Sequence, residues 1–189
     1  MNMPCQISPN RSERTIALTY HSSAREKAFE HVFLGQLCLE LLERGVDYSV
    51  LHAEVDKDGY DLVVEAGEII RHIQLKVMIA GGARADVSVN TKLASKPSGC
   101  VVWLVWDPTI RDFSAIRWFG DSPGNRLPAL GDRIAKHSRA NALGIKAERL
   151  AHRIVPVRRF DKMDNMGRLA DILFGKAGIQ TDGSQESAR

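Results

Sequence analysis

Cysteine is scarce: Cys5, Cys38 and Cys100 are the only three in 189 residues, and no two have the spacing of zinc ligands. Cys38 and Cys100 fall among apolar neighbours and read as small buried hydrophobes, while Cys5 sits in a loose N-terminal arm. No apolar run approaches the length that crosses a bilayer, and nothing in the N-terminal segment resembles a secretory signal, so a cytoplasmic protein without membrane contact is expected. Gly81-Gly82 is not followed by the Gly-Lys-Ser/Thr of a phosphate loop, and neither a nucleophile elbow nor a His-Glu metalloprotease signature occurs. Repeats and low-complexity blocks are also missing. The composition is otherwise ordinary for a globular protein, with 26% charged residues and a formal net charge of +3. That length suits one domain, residues 1–175, followed by a polar, disordered tail at 176–189.

Acid is nearly absent from one window. Between Arg133 and Arg159 the only acidic residue is Glu148, against eight Lys and Arg, which leaves that window at +7 and the rest of the chain at about −4. Arg133, Lys136 and His137 share one side of a helix, as do Lys146, Arg149 and Arg153, with Asn141 and Gly144 as breaks. The expectation is a basic helical extension over about 125–175. A segregated positive face is the footprint of phosphate-backbone binding, and Arg133, Lys136, Arg139, Lys146, Arg149 and Arg153 are its candidate contacts. A solvated charge run would look the same.

The stretch Asp58–Val77 carries the chemistry that can be argued. Tyr60–Glu65 and Ile69–Val77 are rich in β-branched residues and are separated by Ala66-Gly67, which predicts a β-hairpin. With Ala66 and Gly67 as the loop, Glu65 lies opposite Glu68 and Asp61 opposite His72. Alternation then puts Asp61, His72, Gln74 and Lys76 on one face and Leu62, Val64, Ile73, Leu75 and Val77 on the other. A carboxylate, an amide oxygen and an ammonium on one face suit a hard divalent cation beside a phosphate. The plainer reading is the polar side of any half-buried hairpin.

Upstream, Ser23-Ala24-Arg25-Glu26 has capping-box spacing, and Arg44-Gly45 supplies a basic last turn and a C′ glycine, which together bound a helix. Its apolar row includes Leu34, Leu37, Cys38 and Leu41, and one turn earlier that row holds Glu30. A carboxylate there is costly unless something pairs with it.

A helix carrying Glu30, then Gly59-Tyr60-Asp61 at the head of one strand, then Gln74-Leu75-Lys76 on the next, resembles the PD-(D/E)XK nuclease superfamily in its variant with glutamine as the second ligand. The resemblance covers roughly residues 23 to 106 and rests on short motifs. It implies a restriction-endonuclease-like α/β fold, a mixed sheet flanked by helices with its core at about 23–119, and a metal-dependent DNA endonuclease. Under it Glu30, Asp61, Gln74 and Lys76 form the site. Asp61 and Gln74 hold Mg²⁺ or Mn²⁺ with the Leu75 carbonyl, Glu30 takes a second ion or a metal-bound water, and Lys76 positions the nucleophile. A double-strand cut would call for two sites and hence a symmetric homodimer. Glutamine leaves one less negative charge for the metal, so the alternative is a catalytically inactive nuclease-fold protein that binds DNA or regulates. A third reading is an interaction protein whose basic face meets an acidic partner.

Elsewhere, Thr15–Tyr20 and Tyr48–Val55 read as strands, and Ala80–Arg84 and Ser95–Gly99 as loops. Ser88–Ala94 could be a short helix or irregular. Cys100–Trp106 is a continuous apolar run that fits a central strand, Phe113–Phe119 a further strand, and Asp161–Phe174 a closing helix with Gly175 as its stop.

Overall fold

The computed structural model describes residues 22–53, 58–137, 144 and 146–176. The expected N-terminal arm, the strand at Thr15–Tyr20, the end of the strand at 54–55, Arg139 and residues 177–189 of the tail lie outside the described residues.

Helix α1 (Ser22–Glu43) buries Phe33, Leu34, Leu37 and Leu41 along one row. It ends as the sequence predicts: the Gly45 N–H donates to the Leu42 carbonyl at 2.9 Å and the Val46 N–H to Leu41 at 3.0 Å, with Gly45 at φ +67°. This is the paired closure that a left-handed glycine allows. Strands β1 (Tyr48–His52), β2 (Leu62–Ala66) and β3 (Ile69–Ile79) follow as an antiparallel meander.

The hairpin register differs from the expected one. Ala66 pairs with Ile69, so Gly67 and Glu68 form the loop, and Val63 rather than Asp61 stands opposite His72. Gly67 at φ +57° takes the first loop position, and Ala66 is buried in the core, which together select this turn over the other. The slip preserves side-chain parity, so Asp61, His72, Gln74 and Lys76 keep a common face.

The chain then makes β4 (Asp86–Asn90) and a 3₁₀ turn at Thr91–Ser95, where Asn90 Oδ1 accepts from the Lys92 N–H at 3.0 Å. Strand β5 (Gly99–Asp107) runs parallel to β3, so a strand and a 3₁₀ turn fill the crossover where an α-helix is usual. Strands β6 (Asp112–Phe119), β7 (Ile134–Lys136), β8 (Glu148–Pro156) and β9 (Asp161–Met163) and helix α2 (Met166–Phe174) complete the described elements. The six-stranded mixed sheet has the order β1-β2-β3-β5-β6-β9, and a small antiparallel sheet has the order β4-β8-β7.

Strand β5 shows how the layers form. Its apolar residues alternate between two cores: Cys100, Val102 and Leu104 pack with α1 and α2, while Val101 and Trp103 face the small sheet through Val87, Val89 and Val155. Both faces are covered, as the unbroken apolar run predicts. The protein is an α/β fold whose two described α-helices and small sheet take opposite sides of the large sheet. No described helix is long and apolar enough to cross a membrane.

The expected basic helices are corrected by this arrangement. Residues 134–136 and 148–156 are strands β7 and β8, paired antiparallel with each other and, through β8, with β4. The helical spacing of the basic residues is coincidental there. Ile154 and Val155 are β-branched, and Val155 is carried into the second core by its pairing with Val87, a partner distant in sequence. Likewise, Asp161–Met163 is a strand on β6, and the closing helix starts only at Met166, where Asn165 Oδ1 accepts from the Arg168 N–H at 2.8 Å.

One buried cation ties this end of the fold together. Arg71 of β3 is 0% exposed and donates to the carbonyls of Leu173 at 2.6 Å, Ile172 at 2.9 Å and Asp121 at 2.8 Å. Two of these are last-turn carbonyls of α2, which have no acceptor role inside their own helix and carry its negative dipole end. Burial pushes the Arg71 pKa down, partly offset by Cys100 and Asp121.

Candidate functional site

Entry to β2 is fixed by Gly59. It has φ +79°, and a Cβ there would lie 2.5 Å from Asn90 Cβ, so only glycine fits. Asp61 follows. Its N–H donates to the Ile73 carbonyl at 2.9 Å, its carbonyl accepts from Ala53 at 3.0 Å, and its Oδ2 accepts from the Leu75 N–H at 2.7 Å. The carboxylate is therefore clamped against β3 beside the Gln74-Leu75-Lys76 segment.

Glu30 reaches the same region from α1. It is 7% exposed, and the expected cost of burying it is offset locally: Lys27 Nζ donates to both its oxygens, at 2.8 and 3.1 Å, and His52 Nδ1 lies 3.1 Å from Oε1. Lys27 was findable, being three residues away on the same helix face. His52 carried no local signal, since only the pairing of β1 with β2 brings it beside Leu62 and hence near Asp61.

A cavity of about 510 Å³ lies between these elements. Glu30, Asp61, Leu75 and Lys76 all line it, together with Ser23, Lys27 and Arg84. Four sequence-predicted residues thus meet on one cavity. Gln74 does not line it: its side chain is 3% exposed, and its Oε1 is buried and accepts no hydrogen bond. Among the described residues no three His, Cys, Asp or Glu side chains gather as a metal-binding group. A cation here would depend on Asp61, Glu30 and backbone carbonyl, with the Gln74 amide joining only by turning toward the cavity, an oxygen-rich and sparsely charged set of the kind Mg²⁺ tolerates. The orphaned Gln74 oxygen is the feature that fits such an ion, because an unsatisfied buried acceptor is costly.

His72 shares the hairpin face but stands apart from the cavity. Its Nδ1 lies 2.9 Å from the Pro97 carbonyl, which can only accept, so Nδ1 holds the proton, and its ring meets Tyr60 edge-on at 5.0 Å. Lys96 stacks over the same Tyr60 at 5.5 Å and pairs with Asp58 at 3.1 Å.

Among the described residues, none of the expected nucleic-acid contacts lines this cavity. Arg133 is paired with Asp86 at 3.0 Å, Arg149 lies 2.9 Å from His152 Nε2, and Arg153 donates to the Leu150 and His152 carbonyls at 2.7 and 3.2 Å. Lys136 and Lys146 are exposed. Set against known protein families, curated proteins and solved structures, the chain matches none.

Proposed function

We propose that this protein is a metal-dependent DNA endonuclease of the PD-(D/E)XK type, with Glu30, Asp61, Gln74 and Lys76 as its site. The observation that carries the reading is the meeting of Glu30, Asp61, Leu75 and Lys76, from three separate elements, on one cavity of about 510 Å³. Asp61, the Gln74 amide oxygen and the Leu75 carbonyl would hold Mg²⁺ or Mn²⁺, with Glu30 toward a second ion or a bound water. The metal, when bound, would polarise a phosphate oxygen and acidify water.

The chain's own groups supply the rest. Lys76, rooted in β3, orients the attacking water and offsets negative charge growing on the phosphate. Glu30 holds a water from the α1 side. The Asp61 clamp on the Leu75 N–H fixes the entry to β2 relative to β3, which holds Asp61 beside the Leu75-Lys76 segment. The water oxygen bonds to phosphorus as the bond to the leaving deoxyribose oxygen breaks, and the proton the water gives up ends on that leaving oxygen through solvent. The substrate partner is DNA, and a double-strand cut would take two copies of the chain.

Two observations favour a second reading, an inactive module that binds DNA: Glu30 is already paired with Lys27 and in hydrogen-bond contact with His52, and Gln74 is off the cavity wall. Plasmid cleavage in Mg²⁺ separates the two. Under the enzyme reading the wild-type protein cuts, and Asp61→Ala and Lys76→Ala each reduce cutting by about 10²–10³-fold. DNA binding without metal, and no cutting by any of the three proteins, supports the module instead.

A further inference from the structure

Two cavities of about 510 Å³ each adjoin at the Ala80–Arg84 loop, sharing Val77 and Arg84 as a common wall. Their chemistry differs. The first holds Glu30, Asp61 and Lys76, whereas the second is walled by Phe29, Val77, Met78 and Ile79, with Arg25 and Arg84 at its edge. Phe29 is packed on Trp106, ring centroids 4.8 Å apart, and at 3% exposure forms the floor of the recess. Arg84 is exposed and makes no hydrogen bond or ion pair among the described residues, while Lys27 is occupied by Glu30. Its loop is open, with nothing within 4 Å of a Cβ placed on Gly81.

We propose that the substrate is an unpaired DNA strand, its backbone phosphate gripped by Arg84 at the common wall and the adjoining base lodged in the second cavity against Val77 and Met78. The inference rests on the nuclease reading for the role of the first cavity. A guanidinium presents paired N–H donors that match phosphate oxygens. A recess of this volume takes a group of small-molecule size. A base inside a duplex reaches such a recess only by leaving its stack, at a cost of a few kcal/mol that an unpaired strand does not meet.

The test is fluorescence anisotropy of labelled oligo(dT), and of a blunt duplex of equal length, against the full chain without metal, for wild type, Arg84→Met and Arg84→Lys. Arg84 is exposed, so these variants keep the fold. The single strand is expected to bind at least about tenfold tighter than the duplex, Arg84→Met to lose about tenfold, and Arg84→Lys to recover part of it. A duplex bound as tightly as oligo(dT), or unchanged affinity in Arg84→Met, overturns the assignment. Adding Mg²⁺ tells the two proposals apart. Cutting of duplex without strand preference removes this inference and leaves the nuclease, whereas selective, Arg84-dependent binding of the single strand without any cutting does the reverse.

Discussion

Near one end of β3 the Arg71 guanidinium is sealed from solvent and donates to three carbonyls; three residues on, the Gln74 carbonyl oxygen is as deeply buried and accepts nothing. The two groups sit on opposite faces of the same strand. Arg71 faces the helices, where its own Nε, Nη1 and Nη2 each have a carbonyl acceptor, and its burial serves the docking of α2. Gln74 is off the wall of the cavity that gathers Glu30, Asp61 and Lys76, though its chain neighbour Leu75 lines it. A satisfied buried polar group is a structural device, and an unsatisfied one is a place where the fold holds a cost that a ligand can remove.

The contrast can be broken by substitution, and the largest effect falls on the satisfied end. Arg71→Met keeps the length of the side chain but strands three buried carbonyls, so denaturant unfolding is expected to show a loss of about 3–5 kcal/mol. A change below about 1 kcal/mol would mean that water replaces the guanidinium and that the α2 docking does not depend on it. At the other end, Lys76→Ala is expected to reduce Mg²⁺-dependent cutting by about 10²–10³-fold. Its thermal midpoint should stay close to that of the wild type. If cutting and folding fall together, the site and the scaffold are not separable.

Gln74→Met is the sharper probe, because it removes the orphaned acceptor at similar volume. Metal-free stability is expected to stay level or to rise by up to about 1 kcal/mol, against the large loss at Arg71. A clear loss would show that the amide is satisfied after all. The smallest effect concerns Cys100, near Arg71. Burial pushes its thiol up to about 12, the nearby Arg71 charge drawing it back only in part. A raised thiol pKa favours the neutral form in the folded state. Its contribution is full below the ordinary value of 9.0 and fades as pH rises from there toward about 12. Between pH 9 and 10 unfolding free energy should fall by about 1 kcal/mol, and Cys100→Ala should flatten that slope. An equal slope in the variant would assign it elsewhere.

Much of the scaffold was legible because it is local. The α1 stop at Gly45, the parity of the β2–β3 hairpin and the two-sided burial of β5 each follow from residues within one element. The hairpin register was not, since Ala66-Gly67 and Gly67-Glu68 are both plausible loops; burial of Ala66 and the left-handed backbone of Gly67 decide between them. Reading 134–136 and 148–156 as helices failed for a related reason. The basic residues happen to fall at helical spacing, while the pairing that makes β8 a strand joins it to β4, some sixty residues upstream. Arg71 was passed over on a face otherwise apolar, because its acceptors in Ile172 and Leu173 lie about a hundred residues away. Within the site, Glu30, Asp61 and Lys76 were findable as a motif, whereas His52 and Arg84 owe their places to strand pairing and to a loop.

The most direct measurement is the thermal midpoint of the wild type and of Asp61→Asn with and without Mn²⁺. The account predicts a metal-dependent rise in the wild type that Asp61→Asn lacks, since an ion that binds only the folded chain stabilises it. No rise in the wild type, or the same rise in both proteins, would contradict a cation site at the Asp61 end of β3.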